Sequence, residues 1–249
     1  MPLCASRWRP AKRLLAATNR ALRLAIPLLV LGACGGPPEG LLVTTPPTVA
    51  RSAEVDLLAA TIRAPSDEPG VLFSGMRGDG VAYANIRVSL PPGRASGTIQ
   101  WPARLPGNPE RDFVATSVEP LTDQGMREWF RSEHGTRRRV FVFIHGFNTR
   151  FDAAVFRFAQ LVHDAQIDAA PVLFSWPSRG RLLDFKLDHQ NATYARSDLA
   201  RLLQEAADSP AVDEITILAH SMGSWLALEA LRQIALQNDG ISPTIVNLI

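Results

Sequence analysis

Cysteine is nearly absent from this chain of 249 residues, which contains only Cys4 and Cys34. Two cysteines cannot build the disulfide framework of a small secreted scaffold. Hydrophobic residues make up 46% of the chain, which excludes an intrinsically disordered protein because such chains are poor in apolar residues. The length suits one α/β domain, or a smaller domain with tails.

A strong excess of charge of one sign is also missing. The formal net charge is +2, but residues 1–33 contain six basic side chains and no acidic one. The remaining residues contain 20 basic and 24 acidic side chains, a net charge of −4. This balance gives no electrostatic basis for binding nucleic acid, so no nucleic-acid partner is expected.

The apolar run near the N-terminus, Leu24–Leu31, is too short to cross a membrane. A transmembrane helix needs roughly 18–20 consecutive apolar residues. Basic side chains precede the run and small residues follow it, which is the order of a secretory signal peptide. Residues 1–33 are therefore predicted to be a signal peptide rather than part of the fold.

The end of this segment, Leu31-Gly32-Ala33-Cys34, resembles the signal of bacterial lipoproteins. That resemblance implies that Cys34 is lipidated, for example with palmitate, and becomes the first residue of the mature chain. Gly35 follows instead of aspartate, and by the same resemblance this favours the outer membrane, facing the periplasm. The alternative is an ordinary cleaved signal in which Cys34 is coincidental.

The mature chain is expected to begin with a tether. Residues 34–53 are rich in glycine, proline and threonine, a composition typical of a flexible linker. Residues 54–249 are predicted to form the domain. Its first part contains short β-like runs separated by proline and glycine, at Val55–Ile62, Ala82–Leu90, Thr98–Trp101 and Asp112–Val118.

The rest of the domain alternates between predicted strands and helices. A short helix is expected over Thr122–Ser132, and Val140–Ile144 has the continuous apolar character of a strand buried on both faces. Further helices are predicted at Phe151–Gln166, Ala195–Ala207 and Met222–Leu236. Further strands are predicted at Val172–Ser175, at Ile215–Leu218 and from Thr244. This alternation predicts an α/β fold, with a mostly parallel sheet and helices on both faces.

A candidate nucleophile lies between a predicted strand and a predicted helix, in Ala219-His220-Ser221-Met222-Gly223. A nucleophile elbow requires small residues two positions before and after the serine, because its turn is very tight. Alanine here replaces the first glycine of the usual G-x-S-x-G pattern. The alternative is that Ser221 only caps the helix, which is a common role for serine.

A second candidate loop, His145-Gly146-Phe147-Asn148, follows the buried strand Val140–Ile144. In an elbow enzyme this loop supplies one backbone N–H of the oxyanion hole, and the residue after the nucleophile supplies the other. The expected donors are therefore Phe147 and Met222. His145 is interpreted as a structural histidine rather than a catalytic one.

Together these segments resemble one family. The HGFN loop, the Phe174–Gly180 run FSWPSRG and the AHSMG elbow are similar to a bacterial α/β-hydrolase family of largely unknown function. The similarity extends upstream to Ala59–Arg63, Phe73–Gly75 and Arg87–Pro91, and so covers about residues 55–249. It implies the α/β-hydrolase fold and a serine esterase with Ser221 as nucleophile.

A catalytic base for Ser221 is missing from the sequence. In this fold an acid and then a histidine follow the nucleophile, but no histidine follows Ser221, and the only acids are Glu229 and Asp239. The sequence is therefore expected to be a C-terminally truncated fragment with Asp and His beyond residue 249, or else a protein that has lost its base. Without a histidine, Ser221 would be nearly inert.

Two functions remain open at this point. The first is a serine hydrolase acting on an ester or thioester, with a small-molecule or lipid-like substrate. The second is a non-catalytic, lipid-anchored envelope protein that reuses the hydrolase scaffold. No metal or other cofactor is expected, because neither H-E-x-x-H nor another His/Cys cluster with metal-ligand spacing occurs.

Overall fold

The computed structural model describes residues 37–46, 52–132 and 138–249. Pro38–Ile249 form one unit, whereas the unit Met1–Pro37 lies almost wholly outside the described residues. The predicted signal peptide and Cys34 therefore fall outside them as well. Within the described part of the chain, none of the helices is both long and apolar enough to cross a membrane.

The unit contains seven strands and four α-helices among its described residues. The strands are β1 (Ala53–Pro65), β2 (Phe73–Leu90), β3 (Val114–Leu121), β4 (Arg139–Ile144), β5 (Ala170–Ser175), β6 (Glu214–Ala219) and β7 (Ile245–Leu248). The helices are α1 (Asp123–Ser132), α2 (Phe151–Asp164), α3 (Phe185–Ala207) and α4 (Met222–Gln237), and a 3₁₀ turn over Leu182–Asp184 precedes α3.

All seven strands form one mixed sheet in the order β3-β2-β1-β5-β4-β6-β7. The first three strands form an antiparallel meander, and β1, β5, β4, β6 and β7 are parallel neighbours. Parallel strands need crossover connections, and α2, α3 and α4 supply them. The predicted α/β class and mostly parallel sheet are confirmed.

The central strand β4 shows why both faces of the sheet are covered. Its side chains alternate between faces, so Val140, Val142 and Ile144 pack against α3 and α4. Phe141 and Phe143 point the other way and stack on Phe158 of α2, with ring centroids 6.0 and 5.4 Å apart. A run without polar interruption is therefore what a strand between two helical layers requires.

Three predicted elements differ from the structure. Strand β2 begins at Phe73, nine residues before the predicted start at Ala82. Thr98–Trp101 is a loop rather than a strand. Its Trp101 ring stacks on the ring of Phe156 in α2, with centroids 6.0 Å apart, and so packs the loop against the domain. Helix α3 begins at Phe185, ten residues before the predicted start. Its first turns bury the polar side chains of Asp188 and Asn191, which conceal the apolar period that the prediction used.

The predicted tether is wrong over part of its length. Leu41 and Leu42 are buried within the unit, and the Leu42 amide donates to the Gly70 carbonyl at 2.9 Å. The Leu41 amide donates to Oδ2 of Asp152, and the Thr45 amide donates to the Ala115 carbonyl at 2.9 Å. These residues belong to the domain because burial of the two leucines and these backbone bonds outweigh the intrinsic flexibility of glycine and proline neighbours.

Replacement of Leu41 tests this packing. Leu41→Ala should lower the free energy of unfolding by about 2 to 4 kcal/mol, because it removes a fully buried side chain and leaves a cavity. Urea denaturation measures the change. Leu236→Ala is the matched control, since Leu236 is 70% exposed on α4. If both variants unfold like the parent protein, residues around Leu41 are a tether after all.

Candidate active site

The turn between β6 and α4 has the geometry of a nucleophile elbow. Ser221 adopts φ 54° and ψ −121°, a backbone conformation that is strained for any residue with a Cβ. The serine side chain is exposed and makes no capping hydrogen bond to the helix that follows. Ser221 thus occupies the N-cap position of α4 without capping the helix through its side chain, and its role as a nucleophile stays a prediction.

Glycine is required both in this turn and in the HGFN loop that packs against it. A Cβ on Gly223 would lie 2.5 Å from the His145 carbonyl oxygen and 2.6 Å from that of Ile144. A Cβ on Gly146 would lie 2.6 Å from Nδ1 of His220 and 3.2 Å from Cβ of Ser221. The HGFN loop and the elbow are thus packed backbone against backbone.

The two loops meet because their strands are neighbours in the sheet. β4 and β6 pair in parallel, with Ile144 opposite Ala219, and the His220 amide donates to the Ile144 carbonyl at 3.0 Å. Neither the Phe147 nor the Met222 amide donates to another described residue. Both N–H groups are available for a ligand, and their joint role as an oxyanion hole stays a prediction.

His145 lies beneath this loop and not in the reactive position. Its ring is 2% exposed and stacks on Trp176 with centroids 5.0 Å apart. Nδ1 lies 2.9 Å from the Gly146 carbonyl oxygen and Nε2 lies 3.0 Å from Oγ of Ser175, which assigns the proton to Nδ1. Burial, and next the charge of Arg63, lower the pKa of His145 to about 3, so the ring is neutral at physiological pH.

Sequence reasoning gave no role to Arg63, the residue on which this arrangement rests. Its side chain is 1% exposed at the end of β1 and donates to the carbonyls of Ser74, Ser178 and Thr149 at 2.8 to 3.1 Å. It also donates to Oγ of Ser175 at 2.9 Å and approaches Nε2 of His145 at 3.3 Å. The only signal was a cation at the end of an apolar strand.

Burial lowers the pKa of Arg63 to about 9, against the opposing effect of the Asp188 and Asp152 carboxylates. The guanidinium therefore remains charged at neutral pH. Asp188 is fully buried and accepts from the Ser178 hydroxyl at 2.5 Å, and that hydroxyl accepts from the Thr149 amide at 3.0 Å. The polar residues of the SWPSRG run thus hold the HGFN loop in place.

The described residues do not complete a triad. No hydrogen bond in the described part of the chain joins the Ser221 hydroxyl to a histidine or a carboxylate. Glu229 lies on α4, close to Arg196 and Arg232, and Asp239 lies in the turn after α4. Among the residues that the structure covers, no group of His, Cys, Asp and Glu side chains could hold a metal ion.

A mostly parallel α/β sheet with a strained serine turn beside a glycine-containing loop is the arrangement of an α/β-hydrolase scaffold. The chain belongs to the family DUF900, described as alpha/beta hydrolases of unknown function, whose model matches residues 122–249. The match includes both loops of the candidate site. It supports a hydrolase-like scaffold.

The chain is also similar to uncharacterized protein alr1448 of Nostoc sp. (strain PCC 7120 / SAG 25.82 / UTEX 2576). The two are 27% identical over 135 residues, a segment that covers 44% of this chain and 35% of that protein. The chain thus spans about a third of the length of this relative. No solved structure matches it.

The low pKa of His145 predicts a loss of stability in acid. In the unfolded chain the ring gains a proton below about pH 6.5, whereas the folded ring stays neutral down to about pH 3. The unfolded state therefore binds more protons as the pH falls through this range. The contribution to the free energy of unfolding should drop by about 2 kcal/mol between neutral pH and pH ~5.

Urea denaturation as a function of pH measures this loss, and His145→Gln should make the dependence shallower. His163→Gln, which changes an exposed histidine on α2, should leave it unchanged. A histidine NMR titration gives an independent readout should the first variant not fold. A His145 resonance that titrates near pH ~6.5 would contradict the assignment.

Proposed function

We propose that this protein is a serine hydrolase that cleaves an ester or thioester with Ser221 as the nucleophile. The observation that carries the proposal is the backbone of Ser221, with φ 54° at the junction of β6 and α4. A non-glycine residue is held in such a conformation only where the surroundings force it, and such positions cluster at reactive sites. The exposed hydroxyl next to two free backbone amides supports the same conclusion.

The reaction would proceed in two steps. The Ser221 hydroxyl loses its proton to a base and attacks the carbonyl carbon, and the Phe147 and Met222 amides donate to the oxyanion that forms. The C–O or C–S bond then breaks, the leaving group takes the proton, and water hydrolyses the acyl-enzyme. The base would be a His and the acid that orients it an Asp, both proposed to lie beyond residue 249.

Apolar side chains near the HGFN loop favour an acyl substrate. The rings of Phe147 and Phe185 pack edge to face with centroids 5.2 Å apart, and Leu182 and Leu183 beside them are 73% and 98% exposed. A hydrocarbon chain would cover these surfaces, whereas a strongly polar substrate would not.

A fluorophosphonate probe tests the nucleophile. The native protein, extracted from its own membranes, should be labelled covalently, and Ser221→Ala should abolish labelling and lower ester hydrolysis by about a thousandfold or more. Ser197→Ala removes an exposed hydroxyl on α3 and should label like the parent. A folded, full-length protein that does not label would exclude the serine mechanism.

The alternative is a non-catalytic, lipid-anchored envelope protein. It is favoured by the absence, within the described residues, of a histidine or carboxylate bonded to the Ser221 hydroxyl. The intact mass of the native protein separates the two functions. A mass well above that of a lipidated 34–249 chain leaves room for the acid and base, whereas a mass that fits this chain favours the alternative.

We also propose that the protein is anchored in the cell envelope through Cys34, on the outer membrane facing the periplasm. The LGAC segment and the glycine that follows it support this location. Several acyl chains on one cysteine would bind a bilayer firmly, whereas a single chain binds only marginally.

Fractionation tests the anchor. Cys34→Ser should move most of the protein from the membrane to the soluble fraction, because the acyl chains can no longer be attached. Cys4→Ser is the matched control and should stay in the membrane fraction. Retention of Cys34→Ser in membranes would mean that another part of the protein holds it there.

A further inference from the structure

A large apolar cavity of about 540 Å³ opens between α1, α3 and the sheet. Its floor is one face of β1, β4 and β5, to which Leu58, Val140 and Phe174 contribute side chains. Met126 and Phe130 of α1 form one side, and apolar residues of α3 and of the segment 209–212 form the other. Cavities of this size are typical of sites for small organic ligands.

Small side chains create this space. Ala60 lies on β1 between the larger Leu58 and Ile62, and it faces the cavity together with Ala206 and Ala211. An apolar cavity is a poor place for water, because water there finds few hydrogen-bond partners. An apolar ligand replaces the missing packing contacts and is therefore favoured.

No residue of the elbow or of the HGFN loop is among the described residues that line the cavity. The lining runs from Val140, at the start of β4, to Phe174, which pairs with Ile144 near the carboxyl edge of the sheet. Ser221 and the HGFN loop lie beyond that edge, after β6 and β4. A ligand in the cavity therefore does not need to contact Ser221.

Two arginines in the cavity lining favour an anion at its exposed edge. Burial, and next the Glu205 and Asp123 carboxylates, raise the pKa of Tyr83, so an anion is not favoured beside that hydroxyl. Arg127 and Arg131 lie one turn apart on α1, and Glu205 is the one acidic residue among the cavity-lining side chains that the structure describes.

We propose that this cavity binds a long-chain fatty acid, with the hydrocarbon chain against the sheet and the carboxylate near Arg127 and Arg131. Two guanidinium groups outweigh the one carboxylate in the lining, which favours a singly charged anionic head group. The exposed arginines at the mouth keep the head group at the water boundary. A free fatty acid and a lysophospholipid share an acyl chain, but only the fatty acid presents a carboxylate.

Binding of cis-parinaric acid, a fluorescent fatty acid, tests the proposal on the full chain. Ser221→Ala is used as the background, so that failure of the hydrolase proposal does not affect the result. Saturable binding at one site is expected, with displacement by palmitate. Hexadecanol and lysophosphatidylcholine, which lack a free carboxylate, should compete about tenfold less well.

Variants locate the site. Ala60→Phe and Ala206→Phe should each weaken binding by about tenfold or more without lowering the thermal midpoint, because they fill space that is otherwise empty. Leu236→Phe adds a ring on the exposed face of α4 and should bind like the background. Arg127→Gln together with Arg131→Gln should weaken palmitate binding and leave hexadecanol binding unchanged.

Absence of saturable binding would overturn the proposal. Undiminished binding in both cavity-filling variants would do so as well, because the probe would then sit elsewhere on the chain. Equal loss in Leu236→Phe would show non-specific association. Equal competition by palmitate and hexadecanol would contradict the binding of a carboxylate by the two arginines.

Discussion

The buried guanidinium of Arg63 joins the parts of the chain that form the candidate active site. It stands at the end of β1 and donates to the loop after β4, to the loop after β5 and to the start of β2. A charge without water requires several hydrogen bonds to remain buried, and a partner removed from such a charge typically costs about 3–5 kcal/mol. The backbone of these loops is therefore held in one arrangement.

The strain at Ser221 depends on this arrangement. The elbow can keep a positive φ because Gly146 and Gly223 bring the HGFN loop and the elbow into direct backbone contact. The HGFN loop is held from below by His145, whose neutral ring fills the space between Ser175 and Trp176. Rigid support of this kind is what a site needs if its donors are to be positioned before a substrate arrives.

The carboxyl edge of the sheet and the face beneath α1 and α3 differ in chemistry for a physical reason. At the carboxyl ends, tight loops leave backbone amides and a hydroxyl exposed, which suits a reaction at a carbonyl group. On the face of the sheet beneath α1 and α3, small alanine side chains leave an apolar surface uncovered, which suits binding of a hydrocarbon chain without chemistry. The candidate reactive site and the candidate ligand cavity thus lie on different parts of the same sheet.

Local sequence patterns predicted the α/β class, the tight turn at Ser221 and the HGFN loop beside it, because apolar runs, helical periods and tight glycine turns are local features. Roles that depend on distant parts of the chain came only from the tertiary structure. It gave Arg63 its role, since partners from three distant segments converge on it, and it packed Leu41 against the domain although its neighbours favour a linker. It also turned Trp101 into a packing residue, because the contact with Phe156 depends on the path of the whole chain.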